Sequence, residues 1–135
     1  MIFMSEEWIQ EYKEKLNANE AYAEAAKTWE GDFHFIVRDS NNEIVRVGYL
    51  DLWHGKCREA FEEDPDNLKK DPEFAYDGKI ENWKKVLAKK LDPIQALMTG
   101  KFSLTGNMSK VMRAVKAAQE LVNTSTMVET EFPDE

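Results

Sequence analysis

The sequence of 135 residues is poor in cysteine, proline and glycine, with one, four and six of these residues. The single cysteine, Cys57, excludes an internal disulfide and fits a reducing compartment. Long uncharged apolar runs are also missing: no run approaches the ~20 residues that span a bilayer, and no segment has the pattern of a signal peptide. We therefore expect a cytoplasmic protein.

Positive charge is scarce relative to negative charge, because 18 Lys and Arg face 26 Asp and Glu and the net charge is −8. Such a chain repels phosphate backbones, so the composition argues against nucleic-acid binding. Apolar side chains are plentiful, at 42% of the residues, and include seven Phe, four Tyr and four Trp. In one domain of this length, they can either fill a core or line a cavity.

The spacing of apolar residues predicts the order of the first elements. Apolar residues three and four positions apart predict two helices in residues 5–29. Alternation begins at Gly31 and predicts three strands, separated by turns, in residues 31–62. Residues 63–72 carry two prolines and many polar side chains, and we expect an exposed loop there. The short connections favour antiparallel pairing and an α+β fold.

The second half of the chain begins with a predicted fourth strand that ends at Asp77-Gly78. Four apolar residues then share a helical face: Ile80, Trp83, Leu87 and Leu91. Asp92 and Pro93 are typical of a helix start, and Gly100 is typical of a helix end. After a fifth strand and a turn at Gly106, one last helix is expected to carry an apolar face made of Met108, Val111, Met112, Val115, Ala118 and Leu121 or Val122.

The stretch LDPIQALMTGKFSLTGNM, residues 91–108, closely resembles the C-terminal signature of the sterol-carrier-protein-2 family. The shared features are an Asp/Asn-Pro helix start, a glycine and a lysine before a strand, and a Thr-Gly-Asn-Met turn into the last helix. The order of the other elements is also similar, so the resemblance extends roughly over residues 20–122. Thr99 departs from the pattern, because a glutamine is expected at this position in animal relatives.

The resemblance implies a five-stranded antiparallel sheet, helices over one face, and a lipid-sized apolar tunnel between the sheet and the C-terminal helices. It implies a non-catalytic carrier that binds, transfers or presents a fatty acid, an acyl-CoA, a phospholipid or a sterol-like lipid, without a cofactor. We expect one domain over residues 1–135, with a helical extension at 1–18 and a tail at 123–135. The predicted ligand contacts are Trp83, Leu87, Leu97, Met98, Phe102, Leu104, Met108, Met112 and Val115.

Other functions are compatible with the same residues. An apolar stripe at helical spacing is usually core, and an apolar groove can also serve as a protein-interaction or dimer surface. Presentation of a lipid to a separate enzyme is a third possibility, and the oligomeric state stays open. The sequence has no nucleophile elbow, phosphate loop or dinucleotide fingerprint, so we do not expect an enzyme.

Metal binding and acid–base chemistry have weak signals. His54 and Cys57 have the spacing of half a zinc site, but four ligands are normally needed, so we expect no metal. The acidic loop 63–72 lacks the central glycine and the final glutamate of a calcium loop. Asp51 lies three positions before His54, and alternation along a strand would place the two on opposite faces.

Three basic residues form one edge of the last predicted helix: Lys110, Arg113 and Lys116. Such an edge is usually a solvated surface. The functional alternative is a transient contact with an anionic membrane during lipid exchange. In a chain with a net charge of −8, that contact requires positive charge to be concentrated in one part of the surface.

Overall fold

The computed structural model of the protein describes residues 1–133, which form six helices and a five-stranded sheet. Residues 134 and 135 of the predicted C-terminal tail lie outside the described residues. In chain order, the elements are α1 (Glu6–Asn17), α2 (Glu20–Ala25), β1 (Glu30–Arg38), β2 (Ile44–Trp53), β3 (Lys56–Glu63), β4 (Phe74–Lys79), α3 (Ile80–Leu87), α4 (Pro93–Met98), β5 (Phe102–Thr105), α5 (Met108–Met112) and α6 (Val115–Ser125). The α+β class is confirmed.

The sheet is mixed, so the predicted antiparallel sheet is wrong in one pairing. The strand order is β3-β2-β1-β4-β5, and β1 and β4 run parallel while the other neighbours are antiparallel. Parallel pairing requires a crossover instead of a hairpin. Residues 64–73 provide it, since they return the chain across β2 and β1 to the start of β4. A connection of ten residues is short enough to be mistaken for a hairpin loop.

The crossover is bound to the face of the sheet that carries His34. The Lys69 backbone N–H donates to the Glu63 carboxylate at 2.7 Å, and Glu63 also contacts the ring nitrogen Nε2 of His34. Burial disfavours the charged carboxylate, but the hydrogen bonds from Lys69 and His34 outweigh burial and lower the pKa of Glu63. A buried acid–imidazole pair therefore anchors the start of the crossover.

Alternation along β1 separates the two faces of the sheet. Phe33, Phe35 and Val37 join the core on the helical side, whereas His34 lies on the opposite face. The first helix packs mainly against β3, and its N-cap is Ser5, whose side chain accepts a hydrogen bond from the backbone N–H of Trp8.

The chain termini pack against each other and against the core. The Phe3 backbone N–H donates to the Glu131 carbonyl at 2.9 Å, and the Phe3 ring contacts the Phe132 ring. Trp8 stacks on Tyr12 along α1. The segments predicted as an extension and a tail therefore contribute to the same core as the sheet.

Three predictions for the second half of the chain are wrong. Strand β4 continues through Asp77 and Gly78 to Lys79. Gly78 lies opposite Phe102 on β5, and a Cβ at Gly78 would come within 2.5 Å of the Phe102 ring. The glycine therefore marks a close packing contact instead of a turn. The predicted last helix is two helices, broken between Met112 and Val115 without a glycine or a proline. The helix of Trp83 ends at Leu87, before the predicted Leu91.

Candidate functional site

An apolar cavity of about 100 Å³ lies between the helical side of the sheet and helices α1, α3, α4 and α6. Its wall combines residues that are far apart in the sequence. The lining residues are Phe3, Met4, Trp8, Tyr12, Phe33, Phe35, Leu50, Tyr76, Trp83, Val86, Leu87, Pro93, Ile94, Leu97, Val111, Ala118, Leu121, Val122 and Ser125. A smaller apolar cavity, of about 40 Å³, lies beside it and shares Phe33, Val111, Ala118 and Leu121.

All the residues that line the cavity are uncharged, and the hydroxyl groups of its two tyrosines are engaged elsewhere. The Tyr12 hydroxyl donates to the Leu121 carbonyl at 2.7 Å, and the Tyr76 hydroxyl donates to the Pro93 carbonyl at 2.8 Å. Burial raises the pKa of both phenols well above the ordinary value of 10, so both stay protonated at physiological pH. The cavity wall therefore offers apolar contacts and no charge.

Aromatic rings make the sheet side of the cavity rigid. Tyr76 stacks on Phe102 with ring centroids 4.4 Å apart, and Trp83 meets Phe102 edge-on at 5.0 Å. The indole N–H of Trp83 donates to the Ile36 carbonyl at 3.0 Å, which fixes the ring against β1. Such ring pairs contribute ~0.5–1.5 kcal/mol each beyond the area they bury.

Of the nine side chains predicted to contact ligand, three line the cavity: Trp83, Leu87 and Leu97. Phe102 is buried directly behind this wall, against Trp83. Leu104 and Met112 are half-buried and pack against the core without reaching the cavity wall.

The other three predicted residues point away from the cavity. Met98 is 70% exposed, Met108 is 42% exposed and Val115 is 38% exposed. The exposure of Met108 and Val115 follows from the break between α5 and α6, since one continuous helix would have kept Met108, Met112 and Val115 on a single inward face. Met98 is the last residue of α4, and its side chain is exposed there. The structure thus groups Trp83, Leu87 and Leu97 and separates the exposed residues from them.

Sequence reasoning missed the part of the wall contributed by the N-terminal segment and α6. Phe3, Met4, Trp8 and Tyr12 all line the cavity, so the predicted extension of residues 1–18 is part of its wall. The signal in the sequence is the apolar face of α1, which predicts a helix but does not indicate a place in the cavity wall. The local spacing of apolar residues does not indicate which part of the fold α1 packs against.

The alternative sites have ordinary structural partners. His54 Nε2 lies 2.6 Å from the Glu30 carboxylate, and Asp51 pairs with Arg58 at 3.1 Å. Cys57 is buried, and burial raises the pKa of its thiol to about 12. Within residues 1–133, no group of three or more His, Cys, Asp or Glu side chains is placed to hold a metal ion.

The predicted basic edge is interrupted at its first residue. Lys110 donates to the Glu73 carboxylate at 3.0 Å and lies over the rings of Trp29 and Phe74. Arg113 and Lys116 are exposed. Among the helices of residues 1–133, none has the length and apolarity needed to cross a bilayer.

Comparison with known proteins gives one family and a consistent fold. The model of the SCP-2 sterol transfer family matches residues 9–119. The crystal structure of a sterol carrier protein 2 is 35% identical, with a TM-score of 0.84, and the match covers 94% of this chain and 99% of that chain. A Thermus thermophilus protein, described as a possible sterol carrier protein, is 34% identical with a TM-score of 0.84, over 97% of this chain and 92% of that one.

A more distant structure shares the fold alone. The palmitated SCP2L2 protein of Aedes aegypti is 17% identical, with a TM-score of 0.53, and the match covers 81% of this chain and 92% of that chain. No curated protein sequence matches the chain.

Proposed function

The chain belongs to the SCP-2 sterol transfer family. From that premise we propose that it binds the apolar part of a lipid in the cavity between the sheet and helices α1, α3, α4 and α6, without catalysing a reaction. The ligand classes are a fatty acid, an acyl-CoA, a phospholipid or a sterol-like lipid, which the protein would transfer or present. The observation that carries the proposal is the uncharged, apolar wall of this cavity.

The chemistry of the wall determines which part of a lipid is recognised. Each buried methylene contributes ~0.8 kcal/mol, so affinity grows with chain length. A carboxylate or phosphate has no cation to meet inside the cavity, and burying it unpaired would be costly. The head group therefore stays at the protein surface, and selection acts on the length and shape of the apolar part.

The cavity must enlarge to accept a long chain. Its volume of about 100 Å³ is smaller than the ~300–1,000 Å³ typical of small-molecule sites. Helix α4 is the element best suited to move, because it has only six residues, of which Pro93, Ile94 and Leu97 line the cavity. It lies between two residues in the left-handed region, Lys89 at a φ of 60° and Gly100 at 76°. A small outward movement of α4 would open the wall, and it would break the hydrogen bond from the Tyr76 hydroxyl to the Pro93 carbonyl while the strand pairing stays in place.

The position of the titratable groups supports a carrier. The one buried acid–imidazole pair among residues 1–133, His34 with Glu63, lies on the sheet face opposite the cavity. A lipid held between the sheet and the helices would not meet it.

Titration with a fluorescent fatty acid tests the proposal. We expect saturable binding in about the micromolar range, the value for one buried chain after the costs of association. Palmitate, palmitoyl-CoA, a phospholipid and a sterol are then compared as competitors. The absence of saturable, competable binding for all of these lipids would refute the proposal. An apolar dimer interface that occupies α4, seen by size exclusion and crosslinking, would favour the interaction module instead.

A further inference from the structure

Positive charge is concentrated in one continuous segment. Residues 79–116, here called the basic segment, contain nine Lys and Arg but only two Asp and Glu. The rest of the chain contains nine basic and 24 acidic residues, so a chain with a net charge of −8 divides into a part at +7 and a part at −15. Segregation of this degree creates a local positive potential despite the acidic total.

The fold keeps the basic segment together on one side. The segment comprises α3, α4, β5 and α5, and β5 is an edge strand of the sheet, whereas α1 packs on β3 at the other edge. Seven of the nine basic side chains are exposed: Lys84, Lys85, Lys89, Lys90, Lys101, Arg113 and Lys116. Among the ion pairs formed within residues 1–133, only Lys110 of the nine has a carboxylate partner. The others remain available to an external anion.

Large apolar side chains are exposed among these cations. Met98 closes α4, Met108 begins α5 and Val115 begins α6. Met98 stands between Lys90 and Lys101, at the end of the helix whose inner side lines the cavity. Unpaired lysines next to flexible apolar side chains match the interface of a bilayer, where the cations meet lipid phosphates and the apolar groups enter the acyl boundary.

We propose that the basic segment is the surface by which the protein docks on an anionic lipid bilayer, with Met98 entering the interface. The inference rests on the proposed lipid-binding function and adds the surface through which the lipid is exchanged. Docking brings α4 against the bilayer, so the wall that must open for the ligand faces the source of the ligand. An acidic protein would also match the charge, but it would not account for Met98.

Sedimentation with vesicles tests the docking surface. Phosphatidylcholine vesicles with and without phosphatidylserine are compared at low and high salt. Wild-type protein is expected to bind only the anionic vesicles, and less at high salt. The variant Lys85→Glu/Lys90→Glu/Lys101→Glu should lower the partition coefficient by about fivefold for each lysine and therefore by about a hundredfold or more.

The matched control is Lys15→Glu/Lys27→Glu/Lys56→Glu, which makes the same change in net charge on α1, in the turn after α2 and on β3. Lys15 also matches Lys85, because each lies in the last turn of its helix. The control should keep most of the vesicle binding. Equal losses in the two variants would overturn the proposal, since only total charge would then matter.

A second pair of variants tests the apolar contact. Met98→Ser should weaken binding to anionic vesicles severalfold, whereas Met127→Ser, at a side chain 53% exposed outside the segment, should not. Fatty-acid affinity without vesicles should be unchanged in all variants. Wild-type protein that binds fatty acid but no anionic vesicle would overturn the docking surface and leave the proposed function standing. Binding to polyglutamate instead of vesicles would also overturn it, in favour of an acidic protein.

Discussion

The substitution Ala118→Leu separates a ligand cavity from a packed core. Ala118 lies on α6, and its side chain borders both the cavity of about 100 Å³ and the smaller one of about 40 Å³. Leucine adds three carbon atoms, worth up to ~2.4 kcal/mol at ~0.8 kcal/mol for each buried methylene. Fixing the leucine rotamer costs ~0.5–1 kcal/mol, and partial clashes reduce the gain further. We therefore expect the free energy of unfolding to stay the same or rise by about 1–2 kcal/mol.

The same leucine removes the space that a lipid chain needs. Fatty-acid affinity should fall at least about tenfold, which corresponds to ~1.4 kcal/mol, less than the contribution of two methylenes. Ala96→Leu is the control, because Ala96 is 0% exposed on α4 and borders neither cavity. There, overpacking should cost about 1–3 kcal/mol.

The assay combines urea unfolding with titration of a fluorescent fatty acid for the wild type and both variants. The reasoning is refuted if Ala118→Leu destabilises the protein as strongly as Ala96→Leu and leaves lipid affinity unchanged. That result would mean that α6 packs against a filled core.

Three further predictions concern titratable groups. The folded-state pKa of Glu63 lies below its ordinary value of 4.5. The stabilising effect of Glu63 is therefore present above pH 4.5 and is lost as the pH falls through the folded-state pKa. Urea unfolding from neutral to acid pH should show this loss of stability, and the loss should be smaller in Glu63→Gln. A pH dependence identical in both proteins would contradict this assignment. The buried Cys57 thiol, with a pKa of about 12, should react with Ellman's reagent only upon unfolding; rapid reaction of the native protein would contradict its burial. Because His54 is paired with Glu30, dialysed protein should contain no stoichiometric zinc, and its denaturation midpoint should be the same with and without chelator. Elemental analysis that finds about one zinc per chain would contradict this expectation.

The features that sequence reasoning predicted correctly depend on short-range backbone rules. The Asp92 side chain caps α4, and the side chain of Asn107 caps α5. Gly100 and Gly106 have positive φ angles of 76° and 114°, which glycine adopts without strain. These residues lie in the stretch 91–108 that carried the family resemblance. Their roles are set by neighbours a few positions away, so a single sequence is enough to reveal them.

The features that were missed depend on contacts between distant segments. The parallel pairing of β1 with β4 requires knowledge of where residues 64–73 travel, which no local pattern specifies. Gly78 signals a turn in the sequence, but it is needed for close approach to Phe102 from the neighbouring strand. The cavity depends on the same kind of contact, because Phe3 and Trp8 belong to its wall in a region where the two chain termini pack together.

Methyl-labelled NMR with bound palmitate tests the central claim most directly. Intermolecular NOEs from the acyl chain report which methyl groups it touches. The account predicts NOEs to Leu87, Ile94 and Leu97, whose side chains line the cavity. NOEs confined to the exposed methyl groups of Met98 and Met108, with none from the cavity, would contradict it, because the lipid would then lie on the surface and not between the sheet and the helices.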